Sequence, residues 1–138
     1  MVRSRKKKCS RIRKEVKERT NELMWISQID MVTGLLNRKY FEEKLETMCL
    51  KSNEDGSCLT LFYIEVNKQN NFKSFYGRDT AERIMMEIAQ ILKTLTIKEN
   101  HILAAYGESV FVIATKQLCS IPLKMEYAKE IIDACSKT

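Results

Sequence analysis

The sequence of 138 residues predicts an α/β fold in which a small sheet is layered with helices. Three observations predict it. The segment 102–115 reads I-L-A-A-Y-G-E-S-V-F-V-I-A-T, two apolar runs joined at Gly107-Glu108, and Gly in so short a connection is a hairpin signal because it reaches positive φ without steric cost. Leu59 to Val66, L-T-L-F-Y-I-E-V, is a further strand-like run. From Asp79 to Leu95 the residues Ala81, Ile84, Met85, Ile88, Ile91, Leu92 and Leu95 recur at helical spacing. The expected order is helix, helix, strand, helix, strand, strand, helix, a layered arrangement of one domain without internal repeats.

The first element is a helix. Residues 3–28 contain no Gly or Pro and place Cys9, Ile12, Val16, Leu23 and Ile26 on the a and d positions of a heptad, interrupted by Arg19. The pattern fits a dimerising or signal-transmitting helix, with docking on its own domain as the alternative. Gly34 is expected to break this helix, and Asn37 to cap a second one that buries Phe41, Leu45 and Met48. Lys51 to Ser57, containing Asp55-Gly56, reads as a loop. After the strand comes the polar segment Asn67 to Asn71, then the helix from Asp79, where Asp79-Thr80-Ala81-Glu82 fits a capping box. Both hairpin arms are apolar and expected to be central and buried. Pro122 at a first-turn position starts a last helix with Leu123, Tyr127, Ile131 and Cys135 on one face.

Charge is divided unevenly along the chain. The net charge of +6 hides a basic segment, since residues 1–19 hold ten Lys/Arg against Glu15 and Glu18, while the remainder carries fourteen Lys/Arg against sixteen Asp/Glu. Arg3 to Lys17 could serve as a nucleic-acid or anionic-membrane patch, or as the cytoplasmic flank of a membrane segment. Nucleic acid is disfavoured because no aromatic residues interleave with the charges. Five cysteines, odd in number and without Cys-x-x-Cys spacing, indicate neither a disulfide framework nor a zinc site, and a reduced, cytoplasmic setting is expected. No apolar run approaches the roughly 20 residues that span a bilayer.

Three stretches then resemble one family. Asp30 to Phe41, D-M-V-T-G-L-L-N-R-K-Y-F, is similar at nearly every position to the D-x-L-T-G-L-x-N-R-R-x-F entry motif of GGDEF (diguanylate cyclase) domains. Phe62 to Met85 follows that family's strand, phosphate loop and nucleotide helix, with Tyr76-Gly77 on its Tyr-Gly. Gly107 to Phe111, G-E-S-V-F, stands in the place of the signature G-G-D-E-F. The resemblance divides the chain into a basic helical linker, residues 1–29, and a degenerate GGDEF domain, residues 30–138, lacking counterparts of the family's last strands and final helix. It implies a ferredoxin-like core. In active members it implies condensation of two GTP into cyclic di-GMP by a dimer, with two magnesium ions.

Position by position, the resemblance implies a lost active site. Glu65 falls on the first metal-binding Asp, with a solvated strand-end residue as the alternative. Ser109 and Val110 replace the signature's two carboxylates, and a hydroxyl is a weak magnesium ligand while an isopropyl group is none. Glu108 replaces the second Gly, where side chain and charge oppose a nucleotide's phosphates. Lys73 stands for the guanine-reading Asn, Asn70 for the phosphate-loop Lys and Glu82 for the guanine-reading Asp, although the cap is the favoured reading of Glu82. Lys98 to His101 does not match the product-inhibition motif, and His101 is expected at a strand start.

The expectation is therefore a non-catalytic signalling module without cofactor, homodimeric through Ile12, Val16, Leu23 and Ile26 and joined to an upstream sensor or partner protein. The alternative is a weak cyclase or GTP-binding sensor that uses Mg2+ and Glu65, Glu108 and Glu82. A partner strand is expected along Leu59 to Val66, the edge of a ferredoxin-like sheet.

Overall fold

The computed structural model describes residues 2–66, 77–97, 101–116 and 120–136. The elements are α1 (Val2–Gln28), α2 (Arg38–Asp55), β1 (Thr60–Glu65), α3 (Arg78–Ile97), β2 (Ile102–Gly107), β3 (Val110–Thr115) and α4 (Ile121–Ser136). The predicted α/β class and element order hold.

The sheet is antiparallel with order β1-β3-β2. β3 lies at its centre, in register with β1 from Thr60↔Thr115 to Glu65↔Val110 and with β2 from Ile102↔Ala114 to Gly107↔Val110. Alternation along the strands divides the core into two layers. On one face Leu103, Ala105, Phe111 and Ile113 pack with Ala81, Met85, Ile88 and Leu92 of α3 and Tyr127 and Ile131 of α4, joined by Phe62 and Ile64. On the other, Ala104, Val112 and Ala114 pack with Phe41, Leu45 and Met48 of α2, as the spacing predicts.

Between α1 and α2 the chain makes a closed loop. Ile29 bridges Leu36, and Asn37 N–H donates to the Gln28 carbonyl at 2.8 Å. The Asp30 carboxylate accepts from the Thr33 amide at 2.9 Å and the Thr33 hydroxyl at 2.7 Å. Leu36 in turn bridges Ala104, with Ala105 N–H donating to the Leu36 carbonyl at 2.9 Å, which ties the loop to β2. Asn37 caps α2 as expected, its Oδ1 accepting from Tyr40 N–H at 2.9 Å.

Several expectations are corrected. α1 ends at Gln28, so Gly34 does not break it; with φ of 73° Gly34 turns the closed loop instead. Most of the segment 51–57 is helical, because α2 continues to Asp55 until Gly56 ends it at φ 69°. The hairpin turn is Glu108-Ser109, one residue later than Gly107-Glu108, and Gly107 closes β2 without a positive φ. α3 opens at Arg78 after Gly77, so Asp79 lies inside the first turn and Asp79-Thr80-Ala81-Glu82 is not a capping box. Tyr127 and Ile131 are buried, but Leu123 is 48% exposed in the first turn of α4.

Candidate functional site

Three segments converge on one cavity of about 440 Å³. The closed loop and the start of α2 contribute Asp30, Thr33, Asn37 and Arg38; the first turns of α3 contribute Arg78, Glu82 and Met85; the end of β2 contributes Tyr106, Gly107 and Glu108. The bridge between Leu36 and Ala104 holds the entry motif against the hairpin, and the packing of Met85 on the sheet brings the start of α3 to the same place.

The cavity carries both signs of charge. Glu82 accepts from Arg78 Nε at 3.3 Å, a pair within one helical turn. Arg38 Nε donates to Glu42 Oε1 at 3.1 Å, and the Tyr106 hydroxyl donates to the same oxygen at 2.8 Å. The Arg38 guanidinium also lies over the Tyr106 ring, 4.5 Å from its centroid. The Tyr106 hydroxyl, and after it Arg38, hold the Glu42 carboxyl below its ordinary range. The Glu42 bond in turn raises the pKa values of Tyr106 and Arg38.

The structure brings together some of the predicted site residues and separates others. Gly107, Glu108 and Glu82 line the cavity. Glu65 is exposed at the end of β1, beyond β3, and is not among its lining residues. Ser109 is in the turn and its carbonyl accepts from Val66 N–H at 2.8 Å. Val110 packs on the apolar layer with Phe41, and Phe111 is fully buried on the opposite face. Asn70 and Lys73 lie outside the described residues, as does the comparison of Lys98 to His101 with the product-inhibition motif for all but His101. His101 precedes β2, as expected, with Nδ1 at 3.0 Å from the Tyr127 hydroxyl. Of the dimer-helix residues, Ile12, Val16 and Leu23 are exposed along α1; Ile26 belongs to the helix, and its side chain lies outside the description.

Arg38, Glu42, Arg78 and Tyr106 were not singled out from the sequence. The spacings Arg38/Glu42 and Arg78/Glu82 were a visible signal, because residues four apart on a helix face each other. Among the described residues no group of three or more His, Cys, Asp or Glu is gathered for a metal ion. Of the cavity carboxylates, Asp30 is turned to Thr33 and Glu82 to Arg78, and Glu108 stands at the hairpin turn.

Comparisons with known proteins agree with this architecture. The coiled coil and GGDEF domain of DgcB from Caulobacter crescentus, solved in complex with c-di-GMP, superposes with a TM-score of 0.86 at 18% identity, covering 96% of this chain and 69% of that one. Diguanylate cyclase SiaD from Pseudomonas aeruginosa, solved with its activator SiaC, gives 0.64 at 21% identity, covering 95% of this chain and 50% of that one. At such identities the likeness is one of fold. In sequence, 86 residues are 24% identical to an uncharacterized membrane protein of Staphylococcus saprophyticus, a match spanning 62% of this chain and 24% of that relative. No described helix is long and apolar enough to cross a membrane. A family model described as "Diguanylate cyclase, GGDEF domain" matches residues 27–138, and with the entry motif, strand order and hairpin in place the chain belongs to that family.

Proposed function

We propose that the chain is a non-catalytic signalling module of cyclic di-GMP pathways, derived from a diguanylate cyclase and dimerising through α1. The observation that carries this reading is the hairpin turn. Glu108 stands at the cavity where the signature has a Gly, and Ser109 and Val110 stand where it has carboxylates. Val110 is engaged with the Phe41 layer, so the second position offers apolar packing and no oxygen. Removing one preorganised charge-stabilising group typically costs about 10² to 10³ in rate, and here several are replaced together. The purified chain with GTP and magnesium is expected to form no cyclic di-GMP detectable by mass spectrometry. Clear product formation overturns the reading.

A second reading, a nucleotide-binding sensor, is favoured by the cavity itself. Its volume lies in the usual range for small-molecule sites, about 300–1,000 Å³, and Arg38 and Arg78 supply donors. Calorimetry with GTP separates the two: binding at millimolar nucleotide without turnover supports the sensor. Two partners complete the proposal. An upstream sensor or activator acts through α1, and a partner strand pairs along β1.

A further inference from the structure

α1 divides into two halves of opposite electrostatic character. Residues 3–14 hold eight Lys/Arg and no Asp/Glu, spread over about 18 Å of helix. Residues 15–28 hold Lys17 and Arg19 against Glu15, Glu18 and Glu22. The described side chains of the first half are exposed, and the seam residues Ile12 and Val16 are 53% and 58% exposed. With Cys9 and Val16 at a and Ile12 at d, Lys8 takes a g position and Arg13 the following e position. Those are the positions that face each other across a parallel coiled coil, so two copies in register set Lys8 against Arg13 twice. Glu15, the next g residue, faces Thr20 and repels nothing.

We propose that the first half of α1 is a charge-gated dimerisation surface whose ligand is an anionic phospholipid headgroup layer. It rests on the dimer reading above. Neutralising Lys6 to Lys14 removes the Lys8–Arg13 repulsion and lets the Cys9–Ile12–Val16 seam close. A headgroup layer fits the charge distribution better than a partner helix. Lys7, Arg11 and Lys14, at f, c and f, share the face turned away from the seam, and Lys8 at g and Arg13 at e flank it, whereas a single partner helix reaches only the e and g flank. Nucleic acid is the poorer match, since no aromatic side chain lies among these cations.

Cys9 reports closure, being exposed and on the seam. The full chain is oxidised with vesicles of 30% phosphatidylglycerol in phosphatidylcholine, with phosphatidylcholine alone, or without lipid, and the Cys9–Cys9 disulfide is quantified by mass spectrometry. At low salt the anionic vesicles are expected to raise cross-linking at least fivefold and neutral vesicles not at all. Lys8→Glu, which turns the repulsion into attraction, is expected to cross-link without lipid. Ser10→Cys in a Cys9→Ser background lies off the seam and is expected to stay low, which excludes mere crowding on the vesicle. Vesicle binding without a rise in Cys9 cross-linking overturns the gate. Failure to co-sediment with anionic vesicles, or equal closure by polyglutamate or duplex DNA at matched charge, overturns the headgroup assignment. If K8E also fails to cross-link and the chain sediments as a monomer, the dimer reading itself falls.

Discussion

Tyr106 occupies the irregular step in the β2–β3 register, between the pairs Ala105↔Phe111 and Gly107↔Val110. The extra residue turns its side chain toward α2, where the hydroxyl meets Glu42 and the ring meets Arg38 and, edge-on, Phe41. Because the folded Glu42 titrates below its ordinary value, its contribution to stability is complete above about pH 4.3 and is lost as pH falls through the lowered value. In Tyr106→Phe, a carboxyl-carbon NMR titration is expected to show Glu42 moving up toward the ordinary range. The stability loss of the native protein on the acid side becomes correspondingly shallower. The glycines separate in a similar way. Gly56 holds φ 69° at the end of α2, so Gly56→Ala is expected to cost about 1 kcal/mol in urea unfolding. Gly107 has no positive φ, and an added Cβ would meet only Val110 at ordinary distances of 3.8 and 3.9 Å. Gly107→Ala is therefore expected to leave stability within about 0.5 kcal/mol. A signature glycine in this chain is no longer required by its own backbone.

Elements with local signals were legible in the sequence, and those set by tertiary contacts were not. Asn37 and the apolar positions Phe41, Leu45 and Met48 announce α2 because cap and periodicity are properties of neighbouring residues. Its far end is not legible because Ser52, Asn53 and Asp55 are weaker helix formers beside Gly56, yet only Gly56 stops the helix. Gly107 signals a turn one residue early, because glycine's freedom at positive φ is a local property, whereas register places the turn at Glu108-Ser109. Of the cavity, the entry motif, Glu82, Gly107 and Glu108 are visible as family positions. The Arg38–Glu42–Tyr106 group was not, since it joins residues 64 apart through a bulge. The Asp30–Asn37 loop is the element on which the site depends most, because it connects α1, α2 and β2 through main-chain bonds. Asn37→Ala removes the cap of α2 and the side-chain bond to the Ser27 carbonyl at 2.6 Å. It is expected to destabilise by about 1–2 kcal/mol, read from the shift in urea midpoint at unchanged slope.

At the scale of the molecule, the sheet's two outer strands are treated differently. β2 has its outer side tied to Leu36, whereas β1 pairs only with β3 among the described residues. One face of β1 enters the core through Phe62 and Ile64, with the Phe62 ring 5.1 Å from Tyr127. The other face leaves Leu61 and Tyr63 at 50% and 65% exposure, because the α2 layer packs on residues of β2 and β3. From Thr60 to Ile64 the strand has no charge and no Pro, the devices that usually keep an edge from pairing with another chain. This combination supports the proposed partner strand and makes it testable without knowing the partner. Leu61→Lys with Tyr63→Lys places two cations on the exposed face and leaves the Phe62 and Ile64 packing intact. Folding stability is expected to fall by no more than about 1–2 kcal/mol, since neither side chain belongs to either core layer and the loss is that of the edge-on contact between Tyr63 and Tyr106, whose ring centroids lie 6.4 Å apart. In a Lys8→Glu background, in which α1 closes without lipid, light scattering over rising concentration is expected to show growth beyond a dimer, and adding the two β1 lysines is expected to stop that growth at the dimer. Identical size distributions for the two proteins at every concentration would remove β1 as an association edge and leave α1 to carry all assembly.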